Sequence, residues 1–232
     1  ILFENQTLRI GFIHDYRSSQ GRIQIFFKNK SNECLTNFSA KITDFTPFLR
    51  IQVDFSANLI EPGNHIKMQA MCEAMQPFTE AIGFEVGFFE SSRTHFYPIK
   101  LPVVLSCFIE PVVLSKDEFW QRWQMLSGDQ LEEKEVLLAP TPVSSNYLAM
   151  LKGRLTKGVR MGLAGGFEGE DAAFNLAGIF KTGTLNQSGN KVSVGVMMTL
   201  AFDQQANEIS VAVRSGHKKV ALAVKNVVKM HL

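Results

Sequence analysis

The segment Leu49-Arg-Ile-Gln-Val-Asp-Phe55 alternates apolar and polar residues along its whole length. A period of two is typical of a β-strand with one face in a core and the other in water. The same alternation recurs in five further groups, namely Leu8/Ile10/Phe12, Ile23/Ile25/Phe27, Ile66/Met68/Ala70/Cys72, Ile82/Phe84/Val86/Phe88 and Tyr97/Ile99/Leu101/Val103. Turn-forming residues separate these groups. Six to eight strands without a helix in about 105 residues predict an all-β, immunoglobulin-like sandwich that lacks the disulfide.

The pattern changes after Pro111. Ser115-Lys-Asp-Glu118 is a capping box and predicts a helix that ends at Gly128. Strand-like runs lie on both sides of the loop Pro140-Thr-Pro142. One is near 133–138, before the loop, and the others are near 154–163, 173–181, 192–200 and 209–213, after it. The apolar spacing from Lys218 to Leu232 predicts a closing amphipathic helix. We therefore predict a sandwich over residues 1–107 and a mixed α+β domain over residues 108–232.

Composition excludes several classes of protein. The chain has 232 residues, with 24 Lys and Arg against 22 Asp and Glu, and 45% of its residues are hydrophobic. These values are typical of a globular protein and lack the basic excess of nucleic-acid binders, so we expect no nucleic-acid partner. No apolar run reaches the roughly 18 residues of a membrane span, so we expect no membrane insertion. The chain begins at Ile1 rather than Met, which suggests a piece of a longer polypeptide.

Cysteines and sequons point to different compartments. Cys34, Cys72 and Cys107 are widely spaced and odd in number, which favours reduced core thiols in the cytosol. Four N-x-[ST] sequons favour the alternative of a secreted β-sandwich glycoprotein, and they begin at Asn5, Asn29, Asn37 and Asn186. Intact mass from the native source would separate these two hypotheses.

The sequence offers little for catalysis. Gly162-Leu-Ala-Gly-Gly166 lacks the Lys-Ser/Thr of a phosphate loop and precedes the acidic Glu168, Glu170 and Asp171, so it is predicted to be a solvated loop. The five His show no metal or nucleophile spacing, and the neighbours His14 and Asp15 would point to opposite faces of a strand. We expect no catalytic residue, metal or cofactor. A hydrolase stays an alternative because triads assemble across a sequence.

Two features favour binding. Phe26 lies among Arg22, Gln24 and Lys28 on the polar face of its predicted strand, where an aromatic side chain calls for a partner or a cover. The predicted helix carries Phe119-Trp-Gln-Arg-Trp123, more aromatic surface than one buried stripe requires. Aromatic side chains beside an arginine are typical of peptide-binding hot spots, although a fully packed core helix would have the same spacing.

Several segments together resemble a known family. They are Phe3-Glu-Asn-Gln6, Leu8-Arg-Ile-Gly11, Gly21-Arg22, Ile25-Phe26, Asn29-Lys30, Phe78-Thr-Glu80, Leu101-Pro102, Pro111 and Phe119-Trp-Gln-Arg-Trp123. They resemble the appendage, or ear, of the alpha subunit of the plasma-membrane clathrin adaptor complex. The resemblance implies an immunoglobulin-like sandwich followed by a mixed α+β platform, without catalytic activity. It also implies recruitment of endocytic accessory proteins through D-P-[FW] and F-x-D-x-F motifs, at the inner face of the plasma membrane in clathrin-coated pits.

The resemblance also implies site residues. The family's platform pocket maps to Trp120, Trp123 and Arg214, whereas Thr199, Ala201 and Ser210 stand where the family has charged residues. The sandwich side site maps to Phe26, with Ile13 in place of a Lys and Lys28 in place of a small Gly. We therefore expect an altered preference for acidic motifs. The rest of the polypeptide would contact the other adaptor subunits, and the beta-subunit appendage or the ear of a related coat is the nearest alternative.

Overall fold

The computed structural model describes residues 1–139, 144–167 and 173–232. The chain divides into two compact units. The first comprises Ile1–Gln76 and Ala81–Val103, and the second comprises Pro77–Glu80 and Val104–Leu232. Each unit has its own sheets and core, so the two are described separately.

The first unit consists of β-strands. They are β1 Phe3–Glu4, β2 Leu8–Arg17, β3 Gln20–Asn29, β4 Leu35–Thr43, β5 Leu49–Asp54, β6 Leu59–Ile60, β7 His65–Ala74, β8 Gly83–Glu90 and β9 Arg93–Lys100. One sheet has the order β1-β2-β3-β7-β5 and the other the order β6-β4-β8-β9, with every pairing antiparallel. The predicted β-sandwich is confirmed.

Phenylalanine rings fill the space between these two sheets. Phe27 of β3 lies 5.0 Å from Phe38 of β4 and 6.1 Å from Phe84 of β8, measured between ring centroids. Phe38 in turn stacks on Phe88 at 6.0 Å. Burying each such ring contributes about 1.5–3 kcal/mol, which makes the cluster a main source of stability in this unit.

The alternation identifies most of the sandwich core. Leu8, Ile10, Ile23, Ile25 and Phe27 are buried as predicted. Val53 is 44% exposed because β5 is an edge strand that pairs only with β7. Cys34 is also exposed, in the turn before β4, whereas Cys72 and Cys107 are buried thiols.

In its described residues, the second unit combines one sheet with three α-helices. Its elements are β10 Ile109–Val112, α1 Lys116–Met125, β11 Glu132–Leu138, α2 Ser145–Gly158, β12 Gly162–Leu163, β13 Ala173–Leu185, β14 Lys191–Asp203, β15 Glu208–Ser215 and α3 Lys218–Lys229. The strand order is β10-β13-β14-β15-β11, and β12 pairs with β13. This arrangement confirms the predicted mixed α+β platform.

Helices α1 and α3 begin as predicted. The Ser115 side chain accepts from the Glu118 amide, and the Glu118 side chain accepts from the Ser115 amide, which completes the capping box. Helix α3 buries an apolar face, made of Val220, Ala221, Ala223, Val224, Val227 and Val228. Lys225 of the same helix is only 13% exposed, and its ammonium lies 3.1 Å from Glu133 Oε2.

The prediction of a strand over 154–163 was wrong, because helix α2 runs from Ser145 to Gly158. Leu148, Leu151 and Leu155 follow the helical spacing and are buried. The prediction that 162–166 is a solvated loop was also wrong for Gly162, which is buried in β12. The loop Pro140-Thr-Pro142 and the acidic residues Glu168, Glu170 and Asp171 lie outside the described residues.

One predicted sequon is part of the sandwich core. The Asn29 side chain is fully buried, and its Nδ2 donates to the carbonyls of Glu33 at 2.7 Å and Ile60 at 3.0 Å. Its Oδ1 accepts from the Ser31 amide and hydroxyl, each at 2.9 Å. Glycosylation would consume the same Nδ2 atom, so the folded sandwich excludes a glycan at this sequon.

We predict that Asn29→Asp destabilises the chain strongly. The substitution removes both Nδ2 donors and sets a carboxylate against two carbonyl oxygens, at a cost of at least about 1–3 kcal/mol. Urea unfolding followed by circular dichroism measures this change. The matched control is Asn37→Asp, because Asn37 is an exposed residue of another sequon and its positive φ of 48° suits Asp as well as Asn. Equal midpoints for the two variants would contradict the structural role of Asn29.

Candidate functional site

Four aromatic rings meet at helix α1. Phe119 lies 5.4 Å from Trp120 and stacks on Trp123 at 5.8 Å, while Phe167, in the segment after β12, lies about equally near Phe119 and Trp120, at 6.0 and 6.2 Å. Phe119 is fully buried, Trp123 is 8% exposed and Trp120 is 39% exposed. The helix is therefore partly core and partly surface, and Trp120 is the ring that faces solvent most.

Arg214 covers the ring of Trp123. Its guanidinium carbon lies 4.4 Å from the Trp123 ring centroid, a cation–π distance. Its Nη1 donates to the Trp123 carbonyl at 2.8 Å, and its Nε donates to Glu132 Oε1 at 2.8 Å. These bonds use two of the five guanidinium N–H donors. The Trp123 carbonyl lies in the last turn of α1 and has no partner within the helix, so Arg214 also caps this end.

Glu132 accepts from two cations. It begins β11 opposite Arg214 of β15, and its other oxygen lies 2.8 Å from Lys134 Nζ. Burial of the Glu132 carboxyl opposes its ionisation, but hydrogen bonds from Lys134 and Arg214 outweigh this and lower its pKa below the usual value. The carboxylate is therefore ionised at neutral pH and neutralises much of the Arg214 charge.

An open surface of the sheet adjoins the aromatic helix. Thr199 pairs with Ala212 and Ala201 with Ser210, while β11 sets Lys134 opposite Ala212 and Val136 opposite Ser210. Directly paired residues share a face of the sheet. We call this surface the platform face, and it consists of Lys134, Val136, Thr199, Ala201, Ser210 and Ala212. Most of its side chains are small, and Ala212 also packs against the cluster that contains Trp123.

The structure thus brings the predicted platform residues together. Met197, the cross-strand partner of Arg214, packs beneath Trp123, and Thr199 follows two residues later on the same face. Thr199 is half-buried and pairs with Ala212, which packs against the aromatic cluster, while Ser210 is exposed two residues before Ala212. Arg214, by contrast, is already engaged by Trp123 and Glu132.

The sandwich residues lie on the outer face of β3. Phe26 is half-buried, between Gly11 of β2 and Lys67 of β7, and a Cβ on Gly11 would lie 3.7 Å from the Phe26 Cβ. Lys28 is exposed and opposite Arg9, while Ile13 is 57% exposed. The glycine leaves the Phe26 ring accessible from the β2 side, with cationic side chains around it.

Three residues of the platform site escaped the sequence analysis. Phe167 follows a glycine-rich run that looked solvated, and Glu132 and Lys134 stand in a charged stretch at a strand end. A signal for the last two was present in the sequence, because side chains alternate between the faces of a strand. Glu132, Lys134 and Val136 therefore share one face, and Glu133 and Glu135 the other. Among the described residues, no group of three or more His, Cys, Asp or Glu could hold a metal ion.

Comparison with known families assigns the chain. Residues 107–232 match the family model "Alpha adaptin AP2, C-terminal domain", and residues 1–95 match the model "Adaptin C-terminal domain". The chain belongs to the alpha-adaptin C-terminal domain family. It is thus a C-terminal appendage of the clathrin adaptor type, which confirms the resemblance of the aromatic helix and of the Phe-Glu-Asn-Gln segment.

Individual relatives are distant in sequence. The chain is 24% identical over its whole length to the AP-2 complex subunit alpha-2 of Dictyostelium discoideum, and 23% identical over 95% of its length to the AP-2 complex subunit alpha of Schizosaccharomyces pombe. It spans 22% and 24% of those proteins. The GAE domain of GGA2p from Saccharomyces cerevisiae aligns with a TM-score of 0.38 and 19% identity, over 44% of this chain and 94% of that one.

No helix within the described residues is both long and apolar enough to cross a bilayer. The adaptin assignment favours the adaptor hypothesis over the secreted-glycoprotein and hydrolase alternatives.

We predict that Arg214→Ala lowers the free energy of unfolding by about 1.5–3 kcal/mol, because it removes charged hydrogen bonds to Glu132 and to the end of α1. Urea unfolding at pH 7 measures this loss. Lys134→Ala is the matched control, since it removes the other cation on Glu132 from a side chain that is 65% exposed, and should cost at most about 1 kcal/mol. Equal losses of unfolding free energy in both variants would show that the Arg214 contacts stabilise the fold no more than the exposed Lys134 ion pair does.

The Glu132 carboxylate predicts a pH dependence. Its pKa is lower in the folded state than in the unfolded chain, so its contribution is complete above the unfolded pKa, about 4.3, and is lost as the pH falls through the folded value. We therefore expect the stability difference between the natural chain and Glu132→Gln to be constant from about pH 7 to 5 and to shrink below about pH 4.3. Urea midpoints across this range test it, and a difference independent of pH would argue against an ionised partner for Arg214.

Proposed function

We propose that this appendage is a noncatalytic binding module that recruits endocytic accessory proteins through short motifs containing Phe or Trp. The observation that carries the proposal is the exposure of Trp120 on a rigid aromatic helix beside the platform face. Large rings that are partly exposed and held in place are typical binding hot spots, because they bury much area without losing conformational freedom. We propose domain boundaries that give a sandwich of residues 1–107 and a platform of residues 108–232.

On the platform, the ring of a ligand Phe or Trp would pack against Trp120 and the exposed edge of Trp123. The ligand backbone would then extend over Thr199 and Ser210. Small side chains there keep the sheet shallow enough for an extended peptide to lie on it. Thr199 and Ser210 add hydroxyl groups that donate to peptide carbonyls.

Recognition of an acidic residue in the motif would rest on Lys134 more than on Arg214. Arg214 is stacked on Trp123 and paired with Glu132, so a ligand carboxylate would compete with an existing partner. Lys134 lies on the platform face. It is also paired with Glu132, at 2.8 Å, but its side chain is 65% exposed, so this ion pair exchanges for a ligand carboxylate more readily than the buried Arg214 contact does. A flexible surface ammonium gives less directional binding than a bidentate arginine, which supports a modest preference for acidic motifs.

On the sandwich, Phe26 would provide a second aromatic contact and Lys28 a cation beside it. Both are side chains of β3 on the outer face, and the absence of a side chain at Gly11 supports access to the Phe26 ring. Each contact would be individually weak, with micromolar dissociation constants and about −8 kcal/mol, because disordered motifs lose entropy when they bind. Two sites on one chain would raise the avidity for proteins that carry several motifs.

The family assignment supports a place for this module in clathrin-coated pits, at the cytoplasmic face of the plasma membrane. The appendage would act there as part of a longer alpha subunit whose other segments contact the remaining adaptor subunits. Neither nucleic acid nor membrane insertion enters the proposed function, and no cofactor is required for peptide binding.

The proposal is tested by titrating a fluorescent F-x-D-x-F peptide into the natural chain and into Trp120→Ala. We expect the affinity to fall about tenfold or more, as for a hot-spot ring. Gln121→Ala changes an exposed neighbour on the same helix and should leave affinity unchanged. No binding to the natural chain, or equal binding to all three proteins, would overturn the platform site.

A second arm of this titration separates charge from aromatic recognition. Lys134→Ala should weaken the F-x-D-x-F peptide about two- to fivefold and leave an F-x-N-x-F peptide unchanged. Equal effects on both peptides would show that Lys134 does not contact the ligand carboxylate. They would not contradict the aromatic contact at Trp120.

A further inference from the structure

A groove lies on the opposite flank of α1 from the platform face. Its volume is about 280 Å³, and its apolar walls include Val112, Leu114, Met125, Leu126, Ile179 and Met197. Met197 packs under Trp123, so α1 and this methionine stand between the groove and Thr199. The groove is thus a separate surface that the proposed function leaves unused.

Gly195 keeps the floor of this groove open. It lies in the interior of β14 opposite Ile179, and a Cβ built on it would meet no atom within 4 Å. Its φ lies outside the positive range that favours glycine. Neither backbone conformation nor packing therefore requires glycine here, although glycine weakens a strand interior relative to alanine. A glycine of this kind often marks a place where a ligand approaches the sheet closely.

The rim of the groove is basic. Arg122 of α1 lines it, and Ser193, also in the lining, is paired with Lys181 of β13 on the same face. The carboxylate of Glu110 lies 3.7 Å from the Lys181 ammonium, so these two charges compensate each other. Glu118, one turn before Arg122, is hydrogen-bonded in the capping box with Ser115; these bonds lower the pKa of its carboxyl, and the nearby Arg122 charge contributes to lowering it. Within the described part of the chain, Arg122 is the one charged side chain in the groove lining, where no acidic residue faces it, so its charge complements a ligand carboxylate.

The volume indicates how much of a ligand enters. Small-molecule pockets measure roughly 300–1,000 Å³, so a groove at the lower end holds one or two side chains rather than a cofactor. An apolar interior with a basic rim fits one large apolar side chain next to a carboxylate. We propose that this groove is a second docking site for an acidic peptide, which inserts a Phe or Leu side chain above Gly195 and places an Asp or Glu at Arg122.

Met125 provides a local reporter for the test. Its side chain lines the groove and is 77% exposed, so its ε-methyl resonance in methionine-labelled protein responds to an occupant. The probe is the peptide Ser-Asp-Asp-Phe-Asp-Ser, and its titration should shift this resonance in a saturable way. Trp120→Ala should leave the shift intact, which distinguishes the groove from the platform face even if the platform proposal fails.

Gly195→Leu should fill the groove and weaken the Met125 response about tenfold or more, because the ligand side chain loses its place. Gly195→Ala is the graded control, since one methyl group leaves most of the volume free. Arg122→Gln, at an exposed helix position, should weaken binding about two- to fivefold and should spare an Asn-for-Asp analogue of the probe.

Three outcomes would overturn the proposal. The probe could leave the Met125 resonance unmoved, or move it equally in the natural chain and in Gly195→Leu. The resonance could also shift with protein concentration in the absence of peptide, which would identify a second copy of the chain as the occupant.

Discussion

The stacking of Arg214 on Trp123 holds three elements of the second unit together. One guanidinium covers the indole, caps the last turn of α1 and pairs with Glu132 at the start of β11. A single side chain thus joins β15 to α1 and β11, across 91 residues of sequence to Trp123 and 82 to Glu132. Lysine could not replace Arg214. Only a planar group with several N–H donors can stack on the Trp123 ring, cap helix α1 and bond to the Glu132 carboxylate at the same time.

The same contact determines what α1 can offer to a ligand. Because Trp123 is covered and Phe119 is buried, the exposed aromatic surface is concentrated at Trp120. The helix also divides its side of the sheet into the platform face and the groove above Gly195. Two surfaces of different character result, one shallow with hydroxyl groups and the other concave and apolar. A single appendage could therefore hold two unlike peptide segments without overlap.

Local patterns in the sequence were sufficient for most of the sandwich, because strands such as β3, β7 and β8 alternate buried and outward residues. Strand β4 was not predicted, because a register shift between Thr36 and Ser39 interrupts its alternation. The capping box at Ser115 and the apolar face of α3 could also be predicted, because each depends on residues within a single helix. Helix α2 was missed because Gly153, Thr156 and Gly158 lower helix propensity and mask the spacing of Leu148, Leu151 and Leu155. The alternation in β11 placed Glu132 on one face of the strand, but its role depends on the pairing of β11 with β15, where its partner Arg214 lies 82 residues away. The burial of Asn29 likewise depends on a carbonyl 31 residues distant.

Helix α1 is fixed at both ends, by the capping box at Ser115 and by Arg214 at its last turn. Its aromatic surface is thus preorganised, and the protein pays little ordering entropy when a peptide arrives. The entropic cost of association then falls almost entirely on the ligand. Encounter rates would accordingly differ little from one motif to another, and selectivity among motifs would be expressed in residence time.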